Sequence, residues 1–141
     1  MKYYLDTNII SYASKGNNRY LLDCFQKNDP KDVVIPAIVL SEIEYGARKS
    51  VDYEKTMSGY RVFLRAFRIA PYTAKAALYT GKIRADLEKK GTPIGMNDTM
   101  IAGTVLAEDG VLVTHNVREF ERVEGLRIVD WTAERDWNDV G

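Results

Sequence analysis

The sequence predicts an α/β fold with a mostly parallel central sheet. Short apolar runs of the kind that form buried strands alternate with longer stretches in which apolar residues recur at helical spacing. With 141 residues and 45% hydrophobic content, the chain has the size of one compact domain. We therefore expect a single domain over residues 1–141, with a polar C-terminal tail from about residue 132.

The first predicted elements are a strand and two short helices. The apolar run 2–5 ends at Asp6, and the residues after it suit a short helix that closes at the Gly-Asn-Asn segment 16–18. Helical spacing of apolar residues predicts a second helix over 19–27. The Val-Val-Ile run 33–35 indicates a second, buried strand.

The middle of the chain is predicted to be mainly helical. Residues 37–49 follow a helical pattern, and 52–66 continue as one or two helices because a Ser-Gly pair interrupts the pattern. Residues 67–70 are a candidate third strand. Thr73 is then placed to cap a long helix that Gly91 ends.

The last third of the chain repeats the alternation. A helix is predicted over 97–108, and Gly110 ends it. The apolar runs 111–113 and 127–129 are the final strands. No glycine-rich turn follows the first strand, so a dinucleotide-binding module is a poor match to this α/β pattern.

Composition excludes some classes of function and leaves others open. Lysine plus arginine (20) balance aspartate plus glutamate (20), so contact with nucleic acid would have to rest on local basic patches. The single cysteine cannot form an internal disulfide, and the opening five residues are too short for a signal peptide. No apolar run approaches the roughly 20 residues needed to cross a bilayer. We expect a cytoplasmic protein with no membrane role.

Acidic and amide side chains stand at four predicted strand-to-helix junctions: Asp6, Glu42, Asp98, and Asn116 with Glu119. Because the carboxyl ends of parallel strands meet at one edge of a sheet, we expect these side chains to lie together. Carboxylates forced together repel one another unless a cation lies among them. The pattern therefore predicts a divalent metal ion at this edge.

Several of these residues also have an ordinary structural interpretation. Asp6 could cap the helix that follows it, and Asn116 with Glu119 resembles a capping box. Asp98 heads a core-facing helical row, and its neighbour Asn97 is the better candidate for the helix cap, but an acid in the first turn of a helix also suits the helix dipole.

Glu42 is distinguished from Glu44 by its helical neighbours. Glu44 has Arg48 four residues on and can form an exposed ion pair. The neighbours of Glu42 three and four residues away are largely apolar: Ile38, Val39, Tyr45 and Gly46. We therefore favour Glu42 as the site residue, although an acid early in a helix also suits the helix dipole.

The candidate ligands are oxygen atoms, which favour Mg²⁺ or Mn²⁺ over Zn²⁺. Such an ion activates a bound water for in-line displacement at phosphorus without a side-chain nucleophile. A metal-free ribonuclease would need positioned acid and base groups, typically histidines, and the chain has only His115. The residues thus favour metal-dependent hydrolysis of a phosphodiester.

Four ordered segments carry a resemblance to a known family: LDTNII at 5–10, SEIEYGA at 41–47, PIGMNDTMIA at 93–102 and VTHNVREF at 113–120. They resemble the VapC toxins of the PIN-domain family. The resemblance implies a three-layer α/β/α sandwich and a Mg²⁺- or Mn²⁺-dependent ribonuclease that forms a homodimer. It also implies inhibition by a VapB antitoxin, with DNA contact only through that antitoxin.

Carried over residue by residue, Asp6, Glu42 and Asp98 match the signature acids of the family and are the implied metal ligands. Asn116 stands where many members have a fourth acid, so either Glu119 supplies the missing carboxylate or it only caps its helix. The departure at Asn116 keeps open an alternative function, a catalytically silent PIN-like scaffold that binds RNA or a protein partner.

Two further segments, GKIRA at 81–85 and FERVEGL at 120–126, resemble the subgroup of enteric bacteria, whose members cut initiator tRNA in the anticodon stem-loop. Lys82 and Arg84 are candidate phosphate contacts, because backbone charge dominates affinity for nucleic acid. Further candidates are Arg61, Arg65, Arg68, Lys89 and Lys90. For each of them the alternative is a solvated charged face.

Overall fold

The computed structural model describes residues 1–133 and contains a five-stranded parallel sheet. The strands are β1 (Tyr3–Leu5), β2 (Val33–Pro36), β3 (Arg68–Ala70), β4 (Val111–Val113) and β5 (Arg127–Val129). Their order is β3-β2-β1-β4-β5, and each neighbouring pair is parallel. The chain therefore builds the sheet outward in both directions from β1, and crevices open at the carboxyl end of such a switch in strand order.

Seven helices flank the sheet within the described range: α1 (Thr7–Lys15), α2 (Arg19–Lys27), α3 (Ala37–Lys49), α4 (Tyr53–Ala66), α5 (Ala74–Lys89), α6 (Met96–Ala107) and α7 (Val117–Phe120). Helices α1, α3 and α4 contact one another, and α5 packs against α6. A short 3₁₀ turn at Pro30–Asp32 precedes β2. The predicted α/β/α sandwich is confirmed.

The core lies on both faces of the sheet, as expected for strands covered by helices on both sides. Leu5, Val34, Ile35, Leu112 and Val113 of the three central strands are all completely buried. Helical residues that pack against them include Ile9, Ile10, Val39, Ile101, Val105 and Phe120. The alternation of apolar runs with helical segments in the sequence therefore corresponds to a sheet with helices on both faces.

Helices α5 and α6 approach each other closely at Gly103. A Cβ at this position would lie 2.8 Å from the carbonyl oxygen of Ala76 and would collide with the hydroxyl of Thr80. Thr80 donates a hydrogen bond to the same Ala76 carbonyl (2.8 Å) and accepts one from Tyr72 (2.9 Å). Glycine at this position therefore lets α6, the helix that carries Asp98, lie close against α5.

The predicted elements agree with the structure except at a few ends. The stretch 52–66 is a single helix, α4, that runs uninterrupted through the Ser-Gly pair. Thr73 caps α5 as predicted, by accepting a hydrogen bond from Ala76 N. Asn97 is not the cap of α6, which was a wrong prediction: the helix begins at Met96, with Gly95 in the capping position.

Two further predictions concern the C-terminal tail and membrane-spanning helices. The polar tail is predicted from about residue 132, and its part from residue 134 onward lies outside the described residues. Among helices of residues 1–133, none has the length and apolar character that a membrane span requires.

Candidate active site

Asp6 lies at the carboxyl end of the central strand and is only 5% exposed. Its Oδ1 accepts a hydrogen bond from Thr7 N (2.6 Å), so Asp6 does cap α1. Its Oδ2 accepts a hydrogen bond from Thr114 Oγ1 (2.7 Å). Burial raises the pKa of Asp6, the two hydrogen bonds lower it, and the charge of Glu42 raises it further. Asp6 therefore caps α1 and also feels the negative charge of Glu42.

Glu42 reaches the same place from α3. Its Oε1 accepts a hydrogen bond from Thr7 Oγ1 (2.9 Å), so Thr7 donates to Asp6 through its backbone and to Glu42 through its side chain. The buried row of α3 consists of Val39, Ile43 and Ala47, and Glu42 lies half-buried beside that row rather than on it. Thr7 thus connects Glu42 of α3 to Asp6, the residue that follows β1.

Glu44 has the ordinary surface role that the sequence predicts. Its Oε1 accepts hydrogen bonds from Arg48 Nε and from the hydroxyl of Tyr53, both at 2.9 Å. These two partners lower the pKa of Glu44. Glu44 is therefore engaged with its own helix and α4, away from the carboxylates at the end of the sheet.

Asp98 is the third residue of α6, and the residues below it on the same face, Ile101, Ala102 and Val105, are completely buried. Burial raises the pKa of Asp98 to about 6, and the negative charges of Asp6, Glu42 and Glu119 contribute to the rise. Its carboxyl group makes no hydrogen bond or ion pair within residues 1–133. The charges of three other carboxylates therefore act on Asp98: those of Asp6 directly after β1, Glu42 in α3 and Glu119 in α7. We call these four residues the carboxylate cluster.

Asn116 and Glu119 differ in how they relate to this cluster. The Asn116 side chain makes no capping hydrogen bond to α7, so the capping-box interpretation is wrong for this residue. Its backbone N–H instead donates to Thr114 Oγ1 (2.9 Å). Glu119 is half-buried in α7, and its charge reaches Asp98. Of the two, Glu119 adds a negative charge to the cluster, whereas Asn116 borders it.

Sequence reasoning missed two threonines that organise these acids. Thr114 directly follows β4 and is completely buried, and its hydroxyl connects Asp6 to the Asn116 backbone. Thr7 connects Asp6 to Glu42. Their positions in the sequence could have indicated this role. Thr114 directly follows β4, where a buried hydroxyl needs a partner, and Thr7 directly follows Asp6 at the start of α1.

The donor set fits a hard divalent cation better than zinc. Cys24 lies half-buried in α2, and exposed His115 contacts Asp130 Oδ2 (3.1 Å) and Thr132 Oγ1 (2.9 Å). No group of three or more His, Cys, Asp and Glu side chains within residues 1–133 is arranged as a ready-made metal site. The clustered carboxylates repel one another, and a cation among them would lower the raised pKa values of Asp6 and Asp98.

The two predicted RNA contacts are both exposed on α5, but they lie on different sides of the helix because they are two residues apart. Arg84 Nε pairs with Glu88 Oε1 at 3.1 Å, and Lys82 Nζ lies 5.5 Å from the centre of the Tyr79 ring. Arg84 also lines a cavity of about 160 Å³ together with Met96 and Thr99, two residues of the first turn of α6. Arg84 is therefore on the side of α5 that faces the turn carrying Asp98.

Comparison with known proteins gives consistent matches over nearly all of the chain. The model of the PIN domain matches residues 3–126. The chain is 40% identical over 131 residues to the tRNA(fMet)-specific endonuclease VapC of Salmonella typhimurium, covering 93% of this chain and 98% of that protein. It is also 40% identical over 134 residues to ribonuclease VapC2 of Rickettsia felis, with the same coverage.

Solved structures agree with the sequence matches. The crystal structure of DNA-bound VapBC from Salmonella typhimurium superposes with a TM-score of 0.87 at 40% identity, over 93% of this chain and 98% of that chain. VapBC-1 from nontypeable Haemophilus influenzae gives a TM-score of 0.86 at 35% identity, over 94% and 100% of the two chains. These are similarities of the whole domain and not of a local motif.

Proposed function

Since the chain belongs to the PIN-domain family, we propose that it is the metal-dependent endoribonuclease toxin of a VapBC-type toxin–antitoxin module. The observation that carries this proposal is that Asp6 and Glu42 share Thr7 as a hydrogen-bond donor, and that the charges of Asp6, Glu42 and Glu119 all act on Asp98. A cluster of carboxylates without cationic side chains among them is unfavourable by itself and becomes favourable around a cation.

We propose that Asp6, Glu42 and Asp98 hold Mg²⁺ or Mn²⁺. When bound, such an ion makes water a nucleophile at neutral pH and stabilises charge that develops on the phosphate. Thr7 and Thr114 hold the Asp6 and Glu42 carboxylates in orientation through the hydrogen bonds described above. Glu119 adds the fourth negative charge, and the Asn116 side chain, which makes no capping bond, is available to orient a water or the substrate.

We propose initiator tRNA as the substrate, with cleavage in the anticodon stem-loop. Relatives from Salmonella typhimurium (40% identical) and Shigella flexneri (39% identical) are both named tRNA(fMet)-specific endonuclease VapC. A tRNA substrate is also consistent with action in the cytoplasm. Lys82 and Arg84 are the proposed contacts to the RNA backbone.

The test of this proposal is cleavage of purified initiator tRNA by the partner-free chain in Mg²⁺. We expect specific cuts that disappear with a chelator and in Asp98→Asn, whereas the matched variant Glu44→Gln keeps them, because Glu44 pairs with Arg48 outside the cluster. Circular dichroism of all three proteins checks folding. If the folded wild type cuts neither this tRNA nor bulk RNA, the catalytically silent scaffold is the better assignment.

We further propose a homodimer and a cognate VapB antitoxin, which alone contacts DNA. Solved relatives at 35 to 40% identity are VapBC complexes, two of them bound to DNA. Tyrosine is favoured as an interface anchor, and Tyr45 is 64% exposed. Co-expression with the neighbouring small open reading frame should yield a stable complex without ribonuclease activity. Isolation of a monomer that binds no such product would contradict this part of the proposal.

A further inference from the structure

A cleft of about 270 Å³ opens beside Glu42, between α1, α3 and α4. Its lining includes Thr7, Asn8 and Ser11 of α1, Glu42 and Gly46 of α3, and Tyr60 of α4. We call it the α1/α3/α4 cleft. Glu42 of the carboxylate cluster and Thr7, which donates a hydrogen bond to it, both line the cleft, so the cleft adjoins the cluster.

Gly46 keeps this cleft open at a cost to its own helix. The residue lies inside α3, where glycine is less favourable than alanine because it leaves the backbone with more freedom to lose. Neither backbone strain nor crowding explains the presence of glycine here, since Gly46 has no positive φ and a Cβ at this position would meet no atom within 4 Å. The space that a side chain would occupy is instead part of the cleft.

The lining suits a neutral planar group and disfavours a phosphate. Asn8 offers an amide with both donor and acceptor atoms, Ser11 offers a hydroxyl, and Tyr60 offers an aromatic ring. Within the described part of the chain, no Lys, Arg or His lines the cleft, and its charged member is the anion Glu42. Pockets for drug-sized molecules span about 300–1,000 Å³, so this smaller cleft has the size for one planar group.

We propose that the α1/α3/α4 cleft holds the base of a nucleotide adjacent to the phosphate that is cut. This inference rests on the proposed ribonuclease function and assigns part of its substrate recognition. Single-stranded RNA is recognised by bases that are splayed out, stacked on aromatic rings and hydrogen-bonded at their edges. In the cleft, Tyr60 provides the ring and Asn8 the group that contacts the base edge.

The first experiment fills the cleft without disturbing the carboxylates. Gly46→Leu places a side chain in the open space, and Gly59→Leu is the matched control, because Gly59 also lies inside a helix with no atom within 4 Å of a Cβ and does not line the cleft. The substrates are RNA stem-loops cut by the wild type, intact or with an abasic ribose on either side of the cleaved bond.

We expect one abasic substitution to lower kcat/KM by about tenfold or more for the wild type and for Gly59→Leu, which is the scale expected when one stacked base is removed. Gly46→Leu should show a decrease of similar size on intact RNA and no additional decrease on that abasic RNA, because both changes remove the same interaction. Equal kcat/KM of the wild type on intact RNA and both abasic RNAs would overturn the proposal.

A binding measurement separates this inference from the proposed catalytic activity. In the Asp98→Asn background, which removes a repelling charge, the protein should bind intact RNA about tenfold or more tightly than abasic RNA, and Gly46→Leu should abolish this preference. That result supports the base site even if the wild type cuts no RNA. If Gly46→Leu weakens only the capture of a co-expressed antitoxin and leaves RNA binding unchanged, the cleft belongs to the protein partner and the proposal is wrong.

Discussion

The hydroxyl of Thr114 donates a 2.7 Å hydrogen bond to Oδ2 of Asp6, and so joins two buried residues that are 108 positions apart in the chain. They follow β4 and β1, neighbouring parallel strands in the sheet. The Thr114 oxygen also accepts from the Asn116 backbone, which leaves its single proton for Asp6. One hydroxyl thus holds a carboxylate of the cluster and the start of the α7 segment together.

Removal of this hydroxyl should affect both stability and activity. Thr114→Val leaves the buried Asp6 carboxylate without one donor, which should raise the pKa of Asp6 further and lower the free energy of unfolding at pH 7 by about 1–3 kcal/mol. RNA cleavage should fall, because Asp6 loses its orientation, and Thr114→Ser should restore most of both properties. Urea denaturation and cleavage assays measure them. Equal activity of the Val and Ser variants would show that the hydrogen bond does not position Asp6.

The pKa of Asp98 predicts an unusual dependence of stability on pH in metal-free protein. Its pKa rises from 3.8 to about 6 on folding, so the folded state binds more protons than the unfolded state between these values. Stability from this group is therefore present at low pH and declines as pH rises toward 6. Asp98→Asn removes the cost. Because Asp98 is only half-buried, solvent screens part of this effect, so the stabilisation of the variant relative to wild type should grow to about 2 kcal/mol at pH 7.

Urea midpoints at pH 4.5 and pH 7 in the presence of a chelator test this dependence. The comparison of variant with wild type cancels the titration of other groups. A difference in stability that is the same at both pH values would mean that Asp98 does not carry the raised pKa.

Divalent cations should stabilise the fold through the carboxylate cluster. Mg²⁺ or Mn²⁺ above its dissociation constant should raise the Tm of the wild type by several degrees, because a ligand that binds only the folded state adds its binding free energy to stability. Glu42→Gln should reduce the rise. Glu44→Gln should keep it, since Glu44 contacts Arg48 and Tyr53. Thermal denaturation with and without metal provides the measurement, and equal shifts in the two variants would exclude Glu42 as a ligand.

The basic residues on α5 should account for part of the salt dependence of RNA binding. Replacing Lys82 and Arg84 together with alanine should weaken binding and lower the slope of log K against log salt by about one unit for each phosphate that is no longer neutralised. Replacing Arg48 and Lys49 on α3, which lie over the rings of Tyr53 and Tyr45, provides a control with the same charge change. An unchanged slope in the first variant would remove Lys82 and Arg84 from the RNA footprint.

Much of the local structure could be predicted from the sequence, because its signals are local. Thr73 was identified as a cap from its position before an apolar helical row, and its hydroxyl binds Ala76 N three residues away. The same reasoning failed at Asn97, because the helix begins one residue earlier, and at Asn116, because its side chain makes no capping hydrogen bond. The residue type shows only which side chains are able to cap a helix. The path of the preceding loop decides which of them does so.

The sequence by itself determined the fold class, the order of strands and helices, and which acids are candidate site residues. Apolar periodicity and the glycines and prolines that end helices are local signals, since they depend on neighbours within a few residues. Tertiary structure decided which groups meet those acids. Placing β1 between β2 and β4 set Thr114 against Asp6 and Thr7 against Glu42, across separations of 108 and 35 residues. Hydrogen bonds and charge interactions act over a few ångströms, and those distances exist only once the strands are side by side.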